Sequence, residues 1–369
     1  MGRLNITEKN TKALVTFQNV SKSFGATKAL IDCNVDFKKG EIHSLVGENG
    51  AGKSTLGKII LGAYKLDSGK TYVDGEEVSI NSPGQAVKIG LVGISQELSL
   101  LSSRTVVDNI AMGREITSGM FVSAKKTKEK VLSVMKHFNL FVNPDAIVGS
   151  LSVAEQQKVE ILRALNSNAR LIVFDEPTAR LASNETEQLH SLVKSLANNG
   201  TTIVYISHFL DEVLTISNRV TLLRNGKLIR TNLAKDETKK SLIEGMTGKE
   251  EGNLFPSIKL IDENSETVLK VENLTRKNEY KDISFEIKKG EIVGLAGLVG
   301  SGRSELAHTI FGDKKPDNGA ISFCGKTITQ SKVSNSINLG MAMVPESRRT
   351  QGLFSARSLI ENISLPYLR

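Results

Sequence analysis

Residues 47–55 read Gly47-Glu48-Asn49-Gly50-Ala51-Gly52-Lys53-Ser54-Thr55. This stretch fits the phosphate-loop pattern G-x-x-x-x-G-K-[ST], and it follows an apolar run at 42–46 that predicts a buried strand. The glycines of such a loop let backbone N–H groups approach phosphate oxygens, and the next helix points its positive end at them. Lys53 would neutralise the β and γ oxygens, and the Ser54 hydroxyl would bind Mg²⁺. All nine residues are therefore predicted to bind a nucleotide.

A second copy of this module begins 250 residues further along the chain. Lys38-Lys39-Gly40-Glu41-Ile42 recurs as Lys288-Lys289-Gly290-Glu291-Ile292. The second loop reads Gly297-Leu298-Val299-Gly300-Ser301-Gly302-Arg303-Ser304-Glu305. Arg303, at the position of Lys53, keeps the positive charge but differs from lysine in reach and geometry. The sequence therefore predicts two tandem modules, one with an intact phosphate loop and one with an altered loop.

The composition is ordinary for a globular protein, with 39% hydrophobic and 24% charged residues in a chain of 369. This length predicts about two domains. No apolar run approaches the roughly 20 residues that a membrane helix needs, and residues 1–7 lack the apolar core of a secretory signal. The net charge of +8 is not gathered in a basic block with interleaved aromatic residues, so no nucleic-acid partner is expected.

Several polar or reactive side chains receive a structural interpretation. The lysine-rich run at 125–130 is expected to be the solvated face of a helix. Cys33 and Cys324 are expected to be two buried thiols of an intracellular protein, since neither has a partner at metal-ligand spacing. Four of the five histidines are taken as structural: His43, His137, His190 and His308.

Strand and helix patterns alternate along the first copy. Strands are expected near 70–80 and at 91–95, 171–174 and 202–207. Helices are expected from Ser54 to about Leu61, through a helical stretch from about 104 to 165, and from about Glu185 to Leu196. Continuous apolar strands separated by helices predict an α/β fold with a parallel sheet that is covered on both faces.

The chain divides into four parts by composition. They are a flexible tail at 1–12, a first domain at 13–248, a polar linker at 249–265 and a partial second domain at 266–369.

Four polar features follow the first loop in chain order. They are Gln96 after strand 91–95, Ser152 at the start of a helix, Asp175-Glu176 after strand 171–174, and Ser207-His208 at the end of strand 202–207. Each has an ordinary explanation by itself: a surface amide, a capping box with Glu155, a turn, a structural histidine. Their occurrence together and in this order after a phosphate loop favours one shared site.

This set of motifs resembles the nucleotide-binding domain of ABC transporters, and the resemblance covers residues 14–369. It implies the ABC ATPase variant of the P-loop NTPase fold, with a parallel core sheet, an antiparallel β part and a helical subdomain at about 97–165. A partial second copy would follow. It also implies ATP and Mg²⁺ as cofactors.

The resemblance further implies a role for each matched side chain. Phe24 would stack on adenine. Gln96 would sense the γ-phosphate and bind the metal. Asp175 would support Mg²⁺, Glu176 would be the general base that polarises the attacking water, and His208 would contact the γ-phosphate. Lys53 and Gln96 would join Glu176 and His208 in catalysis.

Ser152 and the N-terminus of its helix would face the ATP of an opposing domain. The family signature has two glycines where Val153 and Ala154 stand, and glutamine where Glu155 stands, so this signature is weakened. The added Cβ at Ala154 limits how closely the backbone approaches a phosphate. Ala182 stands where many relatives carry aspartate.

The placement of both domains on one chain, the short linker and the second-copy residues Val344-Pro345-Glu346-Ser347-Arg348-Arg349 narrow the resemblance. They are similar to the ATPase of bacterial monosaccharide importers, the ribose, galactose and xylose class. This implies a peripheral subunit on the cytoplasmic face of the bacterial membrane that hydrolyses ATP to power import of a monosaccharide or related solute. Its partners would be transmembrane permease subunits, through them a periplasmic or extracellular solute-binding protein, and a second ATPase copy.

The second copy is shorter than the first. The first runs 112 residues from Gln96 to His208, whereas the second runs 23 from Glu346 to Arg369. We expect the phosphate-loop strand to lie beside the carboxylate strand, so a second copy without the latter would have an open sheet edge. The hypothesis is that the chain is a fragment, in which only pairing of Ser152 from one chain with Lys53 of another completes a site.

Two other functions stay open at this point. One is a truncated nucleotide-binding remnant with little or no hydrolysis. The other is a soluble tandem ABC protein that acts on ribosomes, although such proteins have a long charged linker and two intact phosphate loops.

Overall fold

A computed structural model describes residues 12–94, 99–119, 121–179, 181–248, 265–298, 300–328, 332–345, 347 and 351–365. Gln96 and Glu346 lie outside these residues. The chain forms two compact units, Met1–Pro256 and Ser257–Arg369. Within the described ranges, no helix has the length and apolar character needed to cross a bilayer.

The first unit contains twelve described strands and eight described α-helices. The strands are β1 (Ala13–Phe24), β2 (Thr27–Lys38), β3 (Ile42–Val46), β4 (Ser68–Val73), β5 (Glu76–Val78), β6 (Leu91–Ile94), β7 (Thr117–Ser118), β8 (Phe121–Val122), β9 (Leu171–Asp175), β10 (Thr202–Ile206), β11 (Arg219–Arg224) and β12 (Lys227–Leu233). The helices are α1 (Lys53–Ile60), α2 (Pro83–Lys88), α3 (Val106–Ala111), α4 (Ala124–His137), α5 (Val153–Asn166), α6 (Ser183–Asn198), α7 (Leu210–Ile216) and α8 (Lys239–Thr247).

A six-stranded sheet in the order β12-β11-β3-β10-β9-β6 forms the centre of this unit. All neighbours are parallel except β11 and β12. The expectation that the phosphate-loop strand lies beside the carboxylate strand is wrong, because β10 separates β3 from β9. The apolar pattern alone does not set this order, because β3 and β10 are buried throughout and β9 nearly so, and a covered parallel sheet accepts such strands at any central position.

Successive residues of the central strands enter two different cores, as the two-residue period of a strand requires. On β9, Ile172 and Phe174 pack with the helical part of the unit, whereas Leu171 and Val173 pack with α1 and the antiparallel strands. The predicted parallel sheet with both faces covered is therefore confirmed.

The antiparallel β part is a four-stranded sheet in the order β2-β1-β4-β5. The helical part holds α3, α4 and α5, and on α4 the side chains of Val131 and Met135 are buried. The lysines at 125, 126 and 130 are exposed, as expected. The helical stretch predicted at 104–165 is interrupted by the hairpin of β7 and β8, where two β-forming residues, Phe121 and Val122, follow the turn glycine Gly119.

The second unit has the strands β13 (Thr267–Arg276), β14 (Tyr280–Lys288), β15 (Asn318–Phe323) and β16 (Lys326–Thr327), in the order β14-β13-β15-β16. Its described helices are α9 (Arg303–Phe311), α10 (Val333–Asn338) and α11 (Leu359–Ser364). Residues 291–298, the counterpart of β3, form no strand, and Ile292 is 97% exposed. In the first unit β3 pairs with β10 on one side and β11 on the other.

The expectation of two buried thiols holds for one cysteine only. Cys33 is buried on β2, whereas Cys324 is exposed. Cys324 occupies the turn between β15 and β16 with a left-handed φ of 48°, and such connecting turns lie at the protein surface.

A half-buried ion pair between β12 and the segment before α8 yields a stability prediction. Arg230 donates two hydrogen bonds to Glu237, at 2.7 and 2.9 Å, and these lower the pKa of Glu237 to about 2 from its ordinary 4.5. A depressed carboxyl pKa stabilises the fold above pH 4.5, and this contribution is lost as the pH falls towards 2. Glu237→Gln should lower the free energy of unfolding at pH 7 by about 1–3 kcal/mol, and by less at pH 3, as measured by urea unfolding with circular dichroism.

The matched control is Glu77→Gln, which breaks the exposed Lys70–Glu77 pair and should leave unfolding close to wild type. An equal effect of both substitutions, or no pH dependence for Glu237→Gln, would contradict this assignment.

Candidate functional site

The phosphate loop lies between β3 and α1 and is packed tightly by two other strands. A Cβ on Gly47 would overlap the carbonyl oxygen of Leu223 on β11. A Cβ on Gly52 would lie 2.6 Å from the carbonyl oxygen of Ala29 on β2, and Gly52 has a φ of +107°. Glycine is required at both positions because the backbone approaches its neighbours too closely for a side chain.

Lys53 is the first residue of α1 and is only 5% exposed. Its ammonium donates hydrogen bonds to the carbonyl oxygens of Gly47 at 2.6 Å and Glu48 at 3.0 Å. Burial lowers the pKa of Lys53, against the opposing influence of Glu176 and Asp175. The Lys53 ammonium is therefore buried and hydrogen-bonded to uncharged carbonyl groups. An anion bound at the loop would place an opposite charge beside it.

Ser54 and Asp175 form the next contact of the site. The Ser54 hydroxyl donates to Asp175 Oδ1 at 3.2 Å. Burial raises the pKa of Asp175, and the nearby Glu176 carboxylate adds to the rise, while the Ser54 hydrogen bond opposes it. A cation beside this pair would relieve the buried negative charge. Magnesium is commonly bound by one or two protein oxygens together with phosphate and water, so this hydroxyl and carboxylate fit the ion.

Over the described residues, no group of three or more His, Cys, Asp or Glu side chains converges as a complete metal cage. This is compatible with the two-oxygen arrangement just described. The third predicted metal contact, Gln96, lies outside the described residues.

Glu176 and His208 follow the carboxyl ends of the neighbouring parallel strands β9 and β10. Glu176 has a left-handed φ of 50°, and its N–H donates to the carbonyl oxygen of Ile206 at 2.9 Å. His208 Nδ1 lies 3.3 Å from Glu176 Oε1. Lys53, Asp175, Glu176 and His208 thus gather at one edge of the sheet, where α/β folds commonly bind ligands.

Phe24 ends β1 and is 42% exposed. Its ring lies 4.9 Å from the ring of Tyr64 in an edge-on arrangement, and the Lys22 ammonium lies 5.4 Å from its centroid. Tyr64 was not among the predicted site residues. No sequence signal pairs two aromatic residues that are 40 positions apart, because only the fold brings the end of β1 near the end of α1.

Ser152 is the N-cap of α5, and it forms a reciprocal capping box with Glu155. Its hydroxyl donates to Glu155 Oε2 at 2.9 Å and accepts from the Glu155 N–H at 3.3 Å. The capping explanation is therefore confirmed. The exposed N-terminus of α5 is still free to face a partner, so the role at an opposing nucleotide stays a prediction.

The chain was compared with known families and proteins. The profile of the family described as ABC transporter matches residues 30–179 and 280–363. The ribose import ATP-binding protein RbsA 3 of Rubrobacter xylanophilus is 39% identical over 355 residues, which are 96% of this chain and 71% of the relative. The galactose/methyl galactoside import ATP-binding protein MglA of Fusobacterium nucleatum is 40% identical over 349 residues, covering 94% of this chain and 69% of the relative.

Solved structures of similar fold are ATP-binding cassettes. The ADP conformation of MJ1267, an ATP-binding cassette of an ABC transporter, has a TM-score of 0.58 at 29% identity and covers 65% of this chain and 100% of its own. A dimeric post-hydrolysis state of the cassette MJ0796, bound to ADP and Pi, has a TM-score of 0.51 at 28% identity and covers 60% and 98%.

The packing of the loop predicts unequal costs for two glycine substitutions. Gly50 also has positive φ, at 82°, but a Cβ there would meet nothing within 4 Å, whereas one on Gly52 meets Ala29 and Leu30. Gly50→Ala should cost about 1 kcal/mol of unfolding free energy and Gly52→Ala about 2–4 kcal/mol, measured by denaturant unfolding followed by circular dichroism. Equal losses would show that the loop does not pack against β2 as described.

Proposed function

This chain belongs to the ABC transporter family, and we propose that it is an ATP-binding subunit that hydrolyses ATP to power import of a monosaccharide or related small solute. The observation that carries the proposal is the convergence of Lys53, Ser54, Asp175, Glu176 and His208 at one end of the central sheet. The predicted ABC ATPase fold is confirmed by the family match and the cassette structures.

The loop amides and Lys53 would hold the β- and γ-phosphates, which replace the carbonyl partners that Lys53 has now. Ser54, Asp175 and, from outside the described residues, Gln96 would hold Mg²⁺. The ion neutralises phosphate charge when bound. Phe24 would stack on adenine, with Tyr64 supporting its ring from the side.

Glu176 is the proposed general base. Its carboxylate sits at the end of β9, next to the loop that would hold the γ-phosphate, and it would accept a proton from the attacking water. His208, 3.3 Å from that carboxylate, would hydrogen-bond the γ-phosphate and orient Glu176 at the same time. Protein groups that position water and phosphate account for most catalysis of phosphoryl transfer.

The names of the two relatives support the solute class, because both are sugar import ATP-binding proteins and align over more than nine-tenths of this chain. The proposed partners are membrane permease subunits, and through them an external solute-binding protein. A second ATPase copy would place its nucleotide against Ser152 and the N-terminus of α5. The proposed location is the inner, cytoplasmic surface of a bacterial membrane.

Glu176→Gln tests the catalytic assignment. The amide cannot accept the proton of water, so turnover should fall by roughly 10²–10⁴-fold, while ATP binding persists because the loop is unchanged. Phosphate release with Mg²⁺ is measured over a wide range of protein concentration, since paired chains can complete each other's sites, and ATP affinity is measured by calorimetry. Glu129→Gln, an exposed position on α4, is the matched control. Wild-type turnover in Glu176→Gln would disprove the role of Glu176.

A further inference from the structure

Thr178, which follows Glu176 and Pro177, is hydrogen-bonded to a residue of helix α7. Thr178 is only 5% exposed, and its hydroxyl donates to Glu212 Oε2 at 2.8 Å. The Tyr205 hydroxyl of β10 donates to the same oxygen at 3.2 Å, and His190 Nε2 lies 3.6 Å from it. One carboxylate oxygen of Glu212, on α7, therefore contacts side chains from the loop after β9, from β10 and from α6.

Glu176 itself has a backbone conformation that needs support. A left-handed φ of 50° is uncommon for a residue with a side chain, and it persists only where the surroundings enforce it. Three hydrogen bonds hold the backbone here: the Glu176 N–H donates to the Ile206 carbonyl, the Ala179 N–H donates to the Glu176 carbonyl at 3.4 Å, and the Gln157 side-chain amide donates to the Pro177 carbonyl at 3.0 Å. The Thr178 hydroxyl adds an anchor through a side chain of this segment.

Helix α7, which carries Glu212, begins at Leu210, two residues after His208. The Thr178–Glu212 bond thus joins the segment of Glu176 to the segment of His208, and these two side chains meet 3.3 Å apart. A shift of about 1 Å in a reacting group can cost 100-fold in rate. The bond is therefore well placed to set the distance between Glu176 and the phosphate site.

We propose that Glu212 is a positioning residue for ATP hydrolysis, which holds Thr178 and thereby keeps Glu176 in its left-handed conformation beside His208. This inference rests on the proposed function, in which Glu176 is the general base. Glu212 acts through Thr178 and contacts neither the phosphate loop nor Lys53. Its carboxylate is required as a hydrogen-bond acceptor, not as a charge.

Two pairs of variants, made in the full chain, test whether the hydrogen bond between Thr178 and Glu212 is required rather than the charge of Glu212. Thr178→Val removes the hydroxyl at nearly constant volume, and Glu212→Ala removes the acceptor. Thr178→Ser keeps the hydroxyl, and Glu212→Gln keeps an oxygen that can accept from Thr178 and Tyr205. The first pair should lower kcat by roughly 10–100-fold with KM for ATP changed less than about threefold, and the second pair should stay near wild type.

The double variant Thr178→Val, Glu212→Ala should be no slower than the slower single variant, because both remove one interaction. Additive losses would show that the two residues act separately and would overturn the proposal. Thermal unfolding by circular dichroism accompanies each assay. Should Glu212→Ala not fold, Thr178→Val alone decides, since its shape is conserved.

Hydrogen exchange supplies a readout that does not depend on turnover. Peptides that cover residues 176–179 should take up deuterium faster in Thr178→Val and Glu212→Ala than in wild type, and at the wild-type rate in Thr178→Ser and Glu212→Gln. Unchanged uptake in the first pair would overturn the proposal whatever the activity.

The variant Glu176→Gln distinguishes a failure of the proposed function from a failure of the positioning role of Glu212. If that variant turns over ATP like wild type, the proposed function fails, and hydrogen exchange still reports on the anchor. If it is inactive while Thr178→Val and Glu212→Ala keep wild-type kcat, the proposed function stands and the positioning role of Glu212 is wrong.

Discussion

The phosphate loop is fixed by backbone contacts that leave no space for a Cβ. Gly47 lies against Leu223 of the central sheet, and Gly52 lies against Ala29 of the antiparallel sheet. The loop therefore contacts both the six-stranded sheet and the four-stranded sheet of the first unit. The position of α1, and of Lys53 at its first turn, depends on this contact, because Gly52 is the N-cap and the helix begins at the next residue.

The charged side chains around this loop are placed where a bound phosphate chain and a cation would stabilise them. Burial disfavours the charged forms of both Lys53 and Asp175, since it lowers the pKa of the lysine and raises that of the carboxyl group. An anionic phosphate chain and a cation would each supply an opposite charge to one of them. Binding sites often keep such unfavourable electrostatics, and the well-packed strands around them supply the stability that the site itself lacks.

The sequence predicted the parts of the site that depend on local pattern. An apolar strand followed by a polar end identifies Asp175 and Glu176, and glycine spacing identifies the loop. The spatial order of the strands was not predictable in this way: β10 lies between β3 and β9, and because all three strands are similarly apolar and buried, their pattern does not say which are neighbours. Contacts such as Thr178 with Glu212, 34 residues apart, leave no periodic signal, because only the packing of the loop after β9 against α7 creates them.

The central claim is that the first phosphate loop holds ATP through Lys53. Calorimetric titration of the full chain with Mg²⁺-ATP tests it most directly, on wild type, Lys53→Ala and the matched second-loop variant Arg303→Ala. A buried cation at about 4 Å from a phosphate attracts it strongly. Removing this charge in Lys53→Ala should therefore weaken ATP affinity on the order of 100-fold. Arg303→Ala should keep that binding event at wild-type affinity. Wild-type binding by Lys53→Ala, with loss of binding by Arg303→Ala, would contradict the account.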